Sequence, residues 1–357
     1  MPRMNTFQPD WASAPGDTIA DILAERDLSP AEFAQQIGQS LELAGELLSG
    51  HAKITTETAG QLETVLGASA AFWMARESQY QEDLARQEPG AEWVRQFPVN
   101  DLVKFGWIEP VTGSADKLAA CLRFFGVADV ATWHAAYGDL LEMAAFRTSP
   151  AFVSHRGAVL AWLRQGEIES ESIDCKPWSP GRFKEALSTI RSLTRKKDPN
   201  LFIPELRRIC AACGVAAVVV RAPTGCRASG ATRFLTPNKA LLQLSFRHLS
   251  DDHFWFTFFH EAGHLLLHGK DLLFLESVDL ATNKAEEEAN EFAGHILIDP
   301  KVREAFLRLR VDGREVIKFA KFVGVSPGIV VGQLQHYGRL KQHQLNSLKR
   351  RFTWGSN

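Results

Sequence analysis

The sharpest chemical signal in the 357-residue chain is the run Phe259-His260-Glu261-Ala262-Gly263-His264-Leu265, which contains H-E-x-x-H. On a helix, positions four apart lie one turn apart and point the same way. His260 and His264 can therefore fill two corners of a zinc tetrahedron. Glu261 then stands beside the metal without binding it, placed to take a proton from the attacking water. Trp255, Phe256, Phe258, Phe259, Leu265 and Leu266 make the helix apolar on nearly every side, so it is predicted to be buried. Buried imidazoles and a buried carboxylate need partners, and a metal ion, Zn2+, is the simplest one. The plainer alternative is a surface helix with incidental His and Glu, and the apolar surroundings argue against it.

A catalytic zinc site needs a third protein ligand and one open position. A third histidine of the metzincin kind is excluded, because Leu267 and Lys270 occupy the positions where that pattern requires glycine and histidine. A carboxylate on the following helix is the other solution, and Glu286-Glu287-Glu288-Ala289-Asn290-Glu291-Phe292-Ala293 supplies it. Taking Ala289, Phe292, Ala293 and Ile296 as the apolar stripe of that helix, Glu288 borders it and is the expected ligand. Glu286, Glu287 and Glu291 are expected to face solvent. His268, one turn beyond His264, is the competing ligand, and His295 reads as a surface residue. Arg233, Arg247, His248 and Tyr337 are unranked candidates for stabilising an oxyanion.

These residues need elements to hold them. The pattern predicts a helix over 254–268 closed by Gly269, and a second over 284–298 stopped by Pro300. Before them come a helix over 204–213, strands near 215–220, 231–235 and 241–246, and a turn at 223–225. The first 90 residues read as short helices. Ser29-Pro30-Ala31-Glu32 is a capping box with proline at the first helical position. The Gln35–Ser40 turn between two short helices is a helix-turn-helix arrangement. Residues 92–178 look helical and carry no evident chemistry. The expected class is α+β, mostly α, divided as 1–90, 91–178, 179–300 and 301–357. A boundary is expected at Gln87-Glu88-Pro89-Gly90.

Apolar content of 45% and charged content of 23% are those of a globular protein. Nothing approaches a membrane span, and residues 1–16 lack the pattern of a signal peptide. A cytoplasmic location without membrane contact is therefore expected. Cys121, Cys175, Cys210, Cys213 and Cys226 are too few and too scattered for a disulfide framework. Cys210-Ala-Ala-Cys213 lacks a second pair for zinc and is expected to close a helix, which leaves core cysteines as its reading. The net charge of −2 conceals an asymmetry. Residues 1–90 hold five Lys/Arg and fourteen Asp/Glu, 5 − 14 = −9, and residues 301–357 hold twelve and three, 12 − 3 = +9.

The run Phe256-Thr257-Phe258-Phe259-His260-Glu261-Ala262-Gly263-His264, with Glu288-Ala289-Asn290-Glu291-Phe292-Ala293 and Ile298-Asp299-Pro300, resembles the ImmA/IrrE family of metallo-endopeptidases. The resemblance covers roughly 230–300. It implies zinc held by His260, His264 and Glu288, with Glu261 catalytic, and a substrate that is a repressor protein or toxin–antitoxin partner. Residues 15–80 resemble the XRE-type helix-turn-helix of HigA-like antitoxins, through Leu28-Ser29-Pro30-Ala31-Glu32-Phe33-Ala34, Leu47-Leu48-Ser49-Gly50 and Phe72-Trp73-Met74. That resemblance implies operator DNA or a protein partner, and a possible homodimer, with Gln39, Ser40, His51, Lys53 and Thr56 as contact residues. The chain departs from the pattern where DNA would be read. The expected recognition helix, 40–48, holds Glu42 and Glu46 and no Lys or Arg, whereas DNA affinity depends on neutralising phosphates. Residues 319–334 also read as helix-turn-helix; the family resemblance implies a terminal helical element that helps hold the fold, and their basic charge reads as a solvated face in preference to a second nucleic-acid candidate. Three functions follow: a regulatory zinc protease, a HigA-like DNA-binding antitoxin whose zinc domain senses rather than cleaves, and a degenerate peptidase serving as an adaptor. The intact His260, Glu261, His264 set favours the first.

Overall fold

The computed structural model describes residues 13–87, 90–146, 156–268, 274–277 and 284–354. The expected boundary at Glu88-Pro89, the helix stop at Gly269, the metzincin test position Lys270 and most of the N-terminal leader test lie outside them. The fold is α+β and mostly helical, as expected. Two units form, Met1–Val94 with Thr112–Ala119, and Arg95–Val111 with Ala120–Asn357.

The first unit carries α1 (Pro15–Glu25), α2 (Pro30–Gln36), α3 (Leu41–Leu48), α4 (Thr56–Leu66) and α5 (Ala70–Gln87). The Ser29 hydroxyl accepts from the Glu32 N–H while the Glu32 carboxylate accepts from the Ser29 N–H, which forms the predicted capping box. Ser40 caps α3 by accepting from the Leu43 N–H at 3.1 Å. The turn between α2 and α3 needs a left-handed residue, and Gly38 supplies it at φ +69°. Ile19, Phe33, Ala44, Leu62 and Trp73 close the core between the helices.

Short helices α6 (Ala91–Arg95), α7 (Val99–Lys104) and α8 (Ser114–Phe125) lead to α9 (Val130–Phe146), α10 (Arg156–Glu171), α11 (Pro180–Leu193) and α12 (Pro199–Ala211). Cys210 and Cys213 end α12 before Gly214 at φ +91°, and both thiols are buried. Burial raises both, Cys210 well above the ordinary thiol value, so they are core residues rather than nucleophiles.

The sheet of the second unit has strand order β1-β3-β2-β4, with β1 (Val215–Val219), β2 (Ala228–Thr236), β3 (Lys239–Leu244) and β4 (Phe274–Ser277). β1 runs parallel to β3, and β2 pairs antiparallel with both β3 and β4. The β4 strand had no expectation from the sequence. One face receives α10, where Gln243 Nε2 donates to the Trp162 carbonyl at 2.6 Å and Trp162 Nε1 donates to the Val220 carbonyl at 3.1 Å. The other face receives α13 (Asp251–Leu267), the helix of the H-E-x-x-H run.

α13 is covered by α14 (Lys284–Leu297) and by α17 (Pro327–His336), which follows α15 (Arg303–Leu307) and α16 (Gly313–Val323). Asp251, fully buried in the first turn of α13, accepts from the Ser326 hydroxyl at 2.6 Å and from the Arg350 N–H at 2.9 Å. Asp252 pairs with Lys349 at 2.6 Å. Carboxylates at a helix N-terminus are favourable, and here they also tie the C-terminal tail to α13. Arg191 donates to the Leu297 carbonyl at 3.0 Å and to the Val323 carbonyl, which satisfies the ends of α14 and α16.

The four-part division drawn from the sequence therefore differs from the packing. Most of the middle region, the sheet and the C-terminal helices share one unit, because α10 covers the sheet and α17 covers α13, while residues 91–94 and Thr112–Ala119 belong to the first unit. The second helix-turn-helix candidate is corrected by the same packing. In α17, Ile329, Val330, Val331 and Leu334 are at most 1% exposed, so this helix braces the H-E-x-x-H helix. Several tail cations also have structural partners: Lys349 meets Asp252, while Arg350 donates to the Thr194 carbonyl at 3.0 Å.

Candidate metal centre

α13 presents His260 and His264 one turn apart, both 1% exposed. Their Nε2 atoms lie 2.9 Å apart. Glu286 of α14 closes the group, with Oε2 at 3.1 Å from His260 Nε2 and Oε1 at 3.5 Å from His264 Nε2. Among the described residues, His260, His264 and Glu286 are the set whose ligand atoms all lie within 4.8 Å of one another.

The expectation for Glu288 is corrected here. Glu286, expected in solvent, is 7% exposed and faces the two imidazoles. Glu288 has a side chain 44% exposed, and its Oε2 lies 3.0 Å from His268 Nε2. The buried line of α14 is Glu286, Ala289, Ala293 and Leu297. It is set by close helix approach: a Cβ on Gly263 of α13 would lie 3.1 Å from Phe292 Cδ1 and 3.3 Å from Ala289 Cα. Small residues at that contact bring Glu286 onto the metal side. The larger Phe292 and Ile296 lie only partly buried beside it. His268 is not in the cluster; its Nδ1 lies 3.0 Å from His264 Nδ1. His295 sits 3.6 Å from Glu291, one turn away on the same helix.

Donor chemistry fits a metal of the zinc kind. His260 Nδ1 lies 3.0 Å from Asn290 Oδ1, an acceptor, so Nδ1 carries the hydrogen and Nε2 the lone pair. Burial pulls His264 from 6.5 to about 4, which keeps the ring neutral. Neutral imidazoles with an ionised carboxylate form the ligand state zinc takes. Ligand atoms about 2.1 Å from a tetrahedral zinc stand roughly 3.4 Å apart, which is the scale of the separations above.

Glu261 is fully buried, and its Oε2 accepts from the Thr232 hydroxyl on β2 at 2.8 Å. Gly230, two residues earlier on the same strand face, makes room for it. A Cβ there would lie 2.6 Å from Glu261 Oε1. Thr232 and Gly230 went unnoticed in the sequence, where the only available signal was their period of two on a strand. Arg233 points the other way and pairs with Glu167. Arg247 donates to the Arg227 carbonyl, His248 stacks on His253 at 4.2 Å, and Tyr337 receives Arg303 over its ring at 4.8 Å. Phe256, one turn before His260, has its ring centroid 6.3 Å from that imidazole. It lines a cavity of about 220 Å³ with Leu297, Ile329, Gln333 and His336.

Residues 216–334 match the family model described as the IrrE N-terminal-like domain, Peptidase_M78. This IrrE-like region begins in β1 and ends in α17, so it includes the C-terminal brace as well as the metal cluster. Its match supports a metallopeptidase. The N-terminal helix-turn-helix segment has its own relative, the uncharacterized HTH-type transcriptional regulator YddM of Escherichia coli (strain K12). Identity is 38% over 60 residues, covering 17% of this chain and 64% of that protein, so the chain spans under two thirds of this relative's length. Two solved structures are also similar. An addiction module antidote protein of a HigA family from Coxiella burnetii is 22% identical, covering 24% of this chain and 92% of that chain, at a TM-score of 0.23. A protein described as an antidote of a plasmid maintenance system, from Nostoc punctiforme PCC 73102, is 30% identical, covering 23% and 91%, at 0.22. The chain therefore holds one segment similar to a protein named as an HTH-type regulator and one that matches the IrrE N-terminal-like model.

Of the expected nucleic-acid contacts, Ser40, His51, Lys53 and Thr56 are exposed and Gln39 is partly buried, bonded to Gln61 at 3.1 Å. Ser40 is engaged as the cap of α3, and His51 Nδ1 lies 2.8 Å from the Ser49 hydroxyl. Glu42 and Glu46 are exposed on α3 itself. No helix among the described residues is long and apolar enough to cross a membrane.

Proposed function

We propose that the chain is a regulatory zinc-dependent endopeptidase that cuts one protein partner, a repressor or a toxin–antitoxin component. The observation that carries this reading is the convergence of His260 Nε2, His264 Nε2 and the Glu286 carboxylate beside a buried Glu261. His260, His264 and Glu286 would hold the zinc. When bound, zinc supplies Lewis acidity, making water acidic near neutral pH and polarising the peptide carbonyl. Glu261 takes the proton of the attacking water and passes it to the leaving amine. Thr232 holds Glu261 in place through Oε2.

The helix-turn-helix unit recognises the partner or its operator, and the whole acts in the cytoplasm. The exposed Glu42 and Glu46 on α3 favour a protein partner over tight DNA binding at physiological salt. The test is co-expression with the proteins encoded beside it. A fragment of one partner should form with the wild type and not with Glu261→Gln. Equal cleavage by both would show that the proteolysis comes from elsewhere. Regulation of a partner gene by Glu261→Gln, with no cleavage by either protein, would favour the DNA-binding antitoxin reading.

A further inference from the structure

His268 and Glu288 stand outside the three converging ligands, yet they are joined to them. His268 is the C-cap of α13, with a side chain 9% exposed. Its Nδ1 lies 3.0 Å from His264 Nδ1, and its Nε2 lies 3.0 Å from Glu288 Oε2. We propose that Glu288 and His268 form a positioning relay that fixes His264 in its Nδ1–H tautomer and so presents the Nε2 lone pair to the metal. The proposal rests on the zinc reading above.

Donor and acceptor counting leaves one arrangement in which His264 Nε2 can face a metal with its lone pair. An ionised carboxylate only accepts, so the hydrogen between Glu288 and His268 belongs to His268 Nε2. With its hydrogen on Nε2, the His268 ring can accept at Nδ1. The hydrogen between the two rings then belongs to His264 Nδ1, and His264 Nε2 is left with its lone pair. That is the atom 3.5 Å from Glu286 Oε1 and 2.9 Å from His260 Nε2. Reversing the His264 tautomer would set two lone pairs against each other across 3.0 Å and turn a hydrogen into the ligand cluster.

The two histidine ligands are thus oriented by different chemistry. His260 donates to the neutral amide oxygen of Asn290. His264 donates into a chain that ends on a carboxylate, which raises its basicity as a ligand. The charge sits at the rim, where Glu288 is half-exposed and Lys284 lies 3.6 Å from its other oxygen. This gives a reason for a histidine one turn beyond the H-E-x-x-H run and for a second glutamate two residues beyond the ligand.

Outer hydrogen bonds of this kind are worth about 10–100-fold in metal affinity. The test is the zinc dissociation constant of the full chain, measured by chelator competition for the wild type, His268→Leu, His268→Asn, Glu288→Ala and the exposed control Glu291→Gln. His268→Leu and Glu288→Ala should weaken zinc about 10–100-fold, and Glu291→Gln should not. Asparagine retains an acceptor near the position of Nδ1, so His268→Asn should recover part of the loss. Imidazole 15N shifts should show His264 as the Nδ1–H tautomer in the wild type and a mixture in His268→Leu. Should the buried substitution unfold, half-exposed Glu288→Ala still reads the relay. Wild-type affinity in His268→Leu and Glu288→Ala, with binding lost in His264→Ala and Glu286→Ala, would overturn the relay alone. Absence of zinc binding by the wild type would overturn the zinc reading and the relay with it.

Discussion

The Thr232 hydroxyl on strand β2 donates to Glu261 Oε2 on helix α13 across 2.8 Å, inside the core. Hydrogen bonds to charged groups are worth about 1.5–3 kcal/mol, so this one orients Glu261, the proposed general base, and offsets part of the cost of burying it. Thr232→Val keeps the shape and loses the donor. It should keep its zinc, lose about 1–3 kcal/mol of stability in denaturant titrations, and cut its partner about tenfold more slowly or worse, as 1.4 kcal/mol is a factor of ten. Unchanged stability and rate would mean that Thr232 does not hold Glu261.

Packing at Gly328 leads to a second expectation. A Cβ there would lie 2.3 Å from Asp251 Oδ1, and Asp251 is itself pinned by Ser326 and the Arg350 N–H. The carboxylate has nowhere to retreat, so α17 must shift off the N-terminus of α13. Gly328→Ala should cost about 1–3 kcal/mol, the usual range for overpacking. Denaturant unfolding measures it, and a change under about 0.5 kcal/mol, the size of an ordinary surface substitution, would contradict this packing.

His248 gives a pH dependence outside the metal cluster. Burial first, then His253, Arg247 and Lys349, against Asp252, together pull its pKa from 6.5 to about 4. The folded state therefore favours the neutral ring, while the unfolded chain protonates it near 6.5. Its contribution to stability is complete above about 6.5 and is lost as pH falls toward 4. Urea midpoints of the metal-free chain should fall between pH 7 and 4.5, and His248→Gln should make that slope shallower. Identical slopes would remove His248 from the account.

The residues that carry the chemistry were legible unevenly, for physical reasons. His260, Glu261 and His264 could be read because a four-residue spacing on an apolar helix has one meaning at one face. The third position could not, because apolar size is a poor guide to depth where helices meet closely. Phe292 and Ile296 drew the stripe toward themselves, yet Gly263 and Ala289 set the contact line and put Glu286, not Glu288, on it. The capping box of α2 and the glycine turn before α3 are local signals and form as read. Thr232 and β4 depend on strand pairing across sequence distance, for which local periodicity holds no information. The C-terminal helix pair was read as two helices with a solvated basic face, which Lys318 and Lys321 of α16 keep, whereas α17 is buried. Its burial depends on Gly328 and Gly332 fitting against Asp251 and Asp252.

The metal site itself is tested most directly by counting zinc per chain at saturating zinc in the wild type, Glu286→Ala and Glu288→Ala. With His260, His264 and Glu286 as ligands, the wild type and Glu288→Ala should each hold one zinc ion at saturation, and Glu286→Ala should hold none or far less. Full zinc in Glu286→Ala together with loss in Glu288→Ala would contradict the site described here.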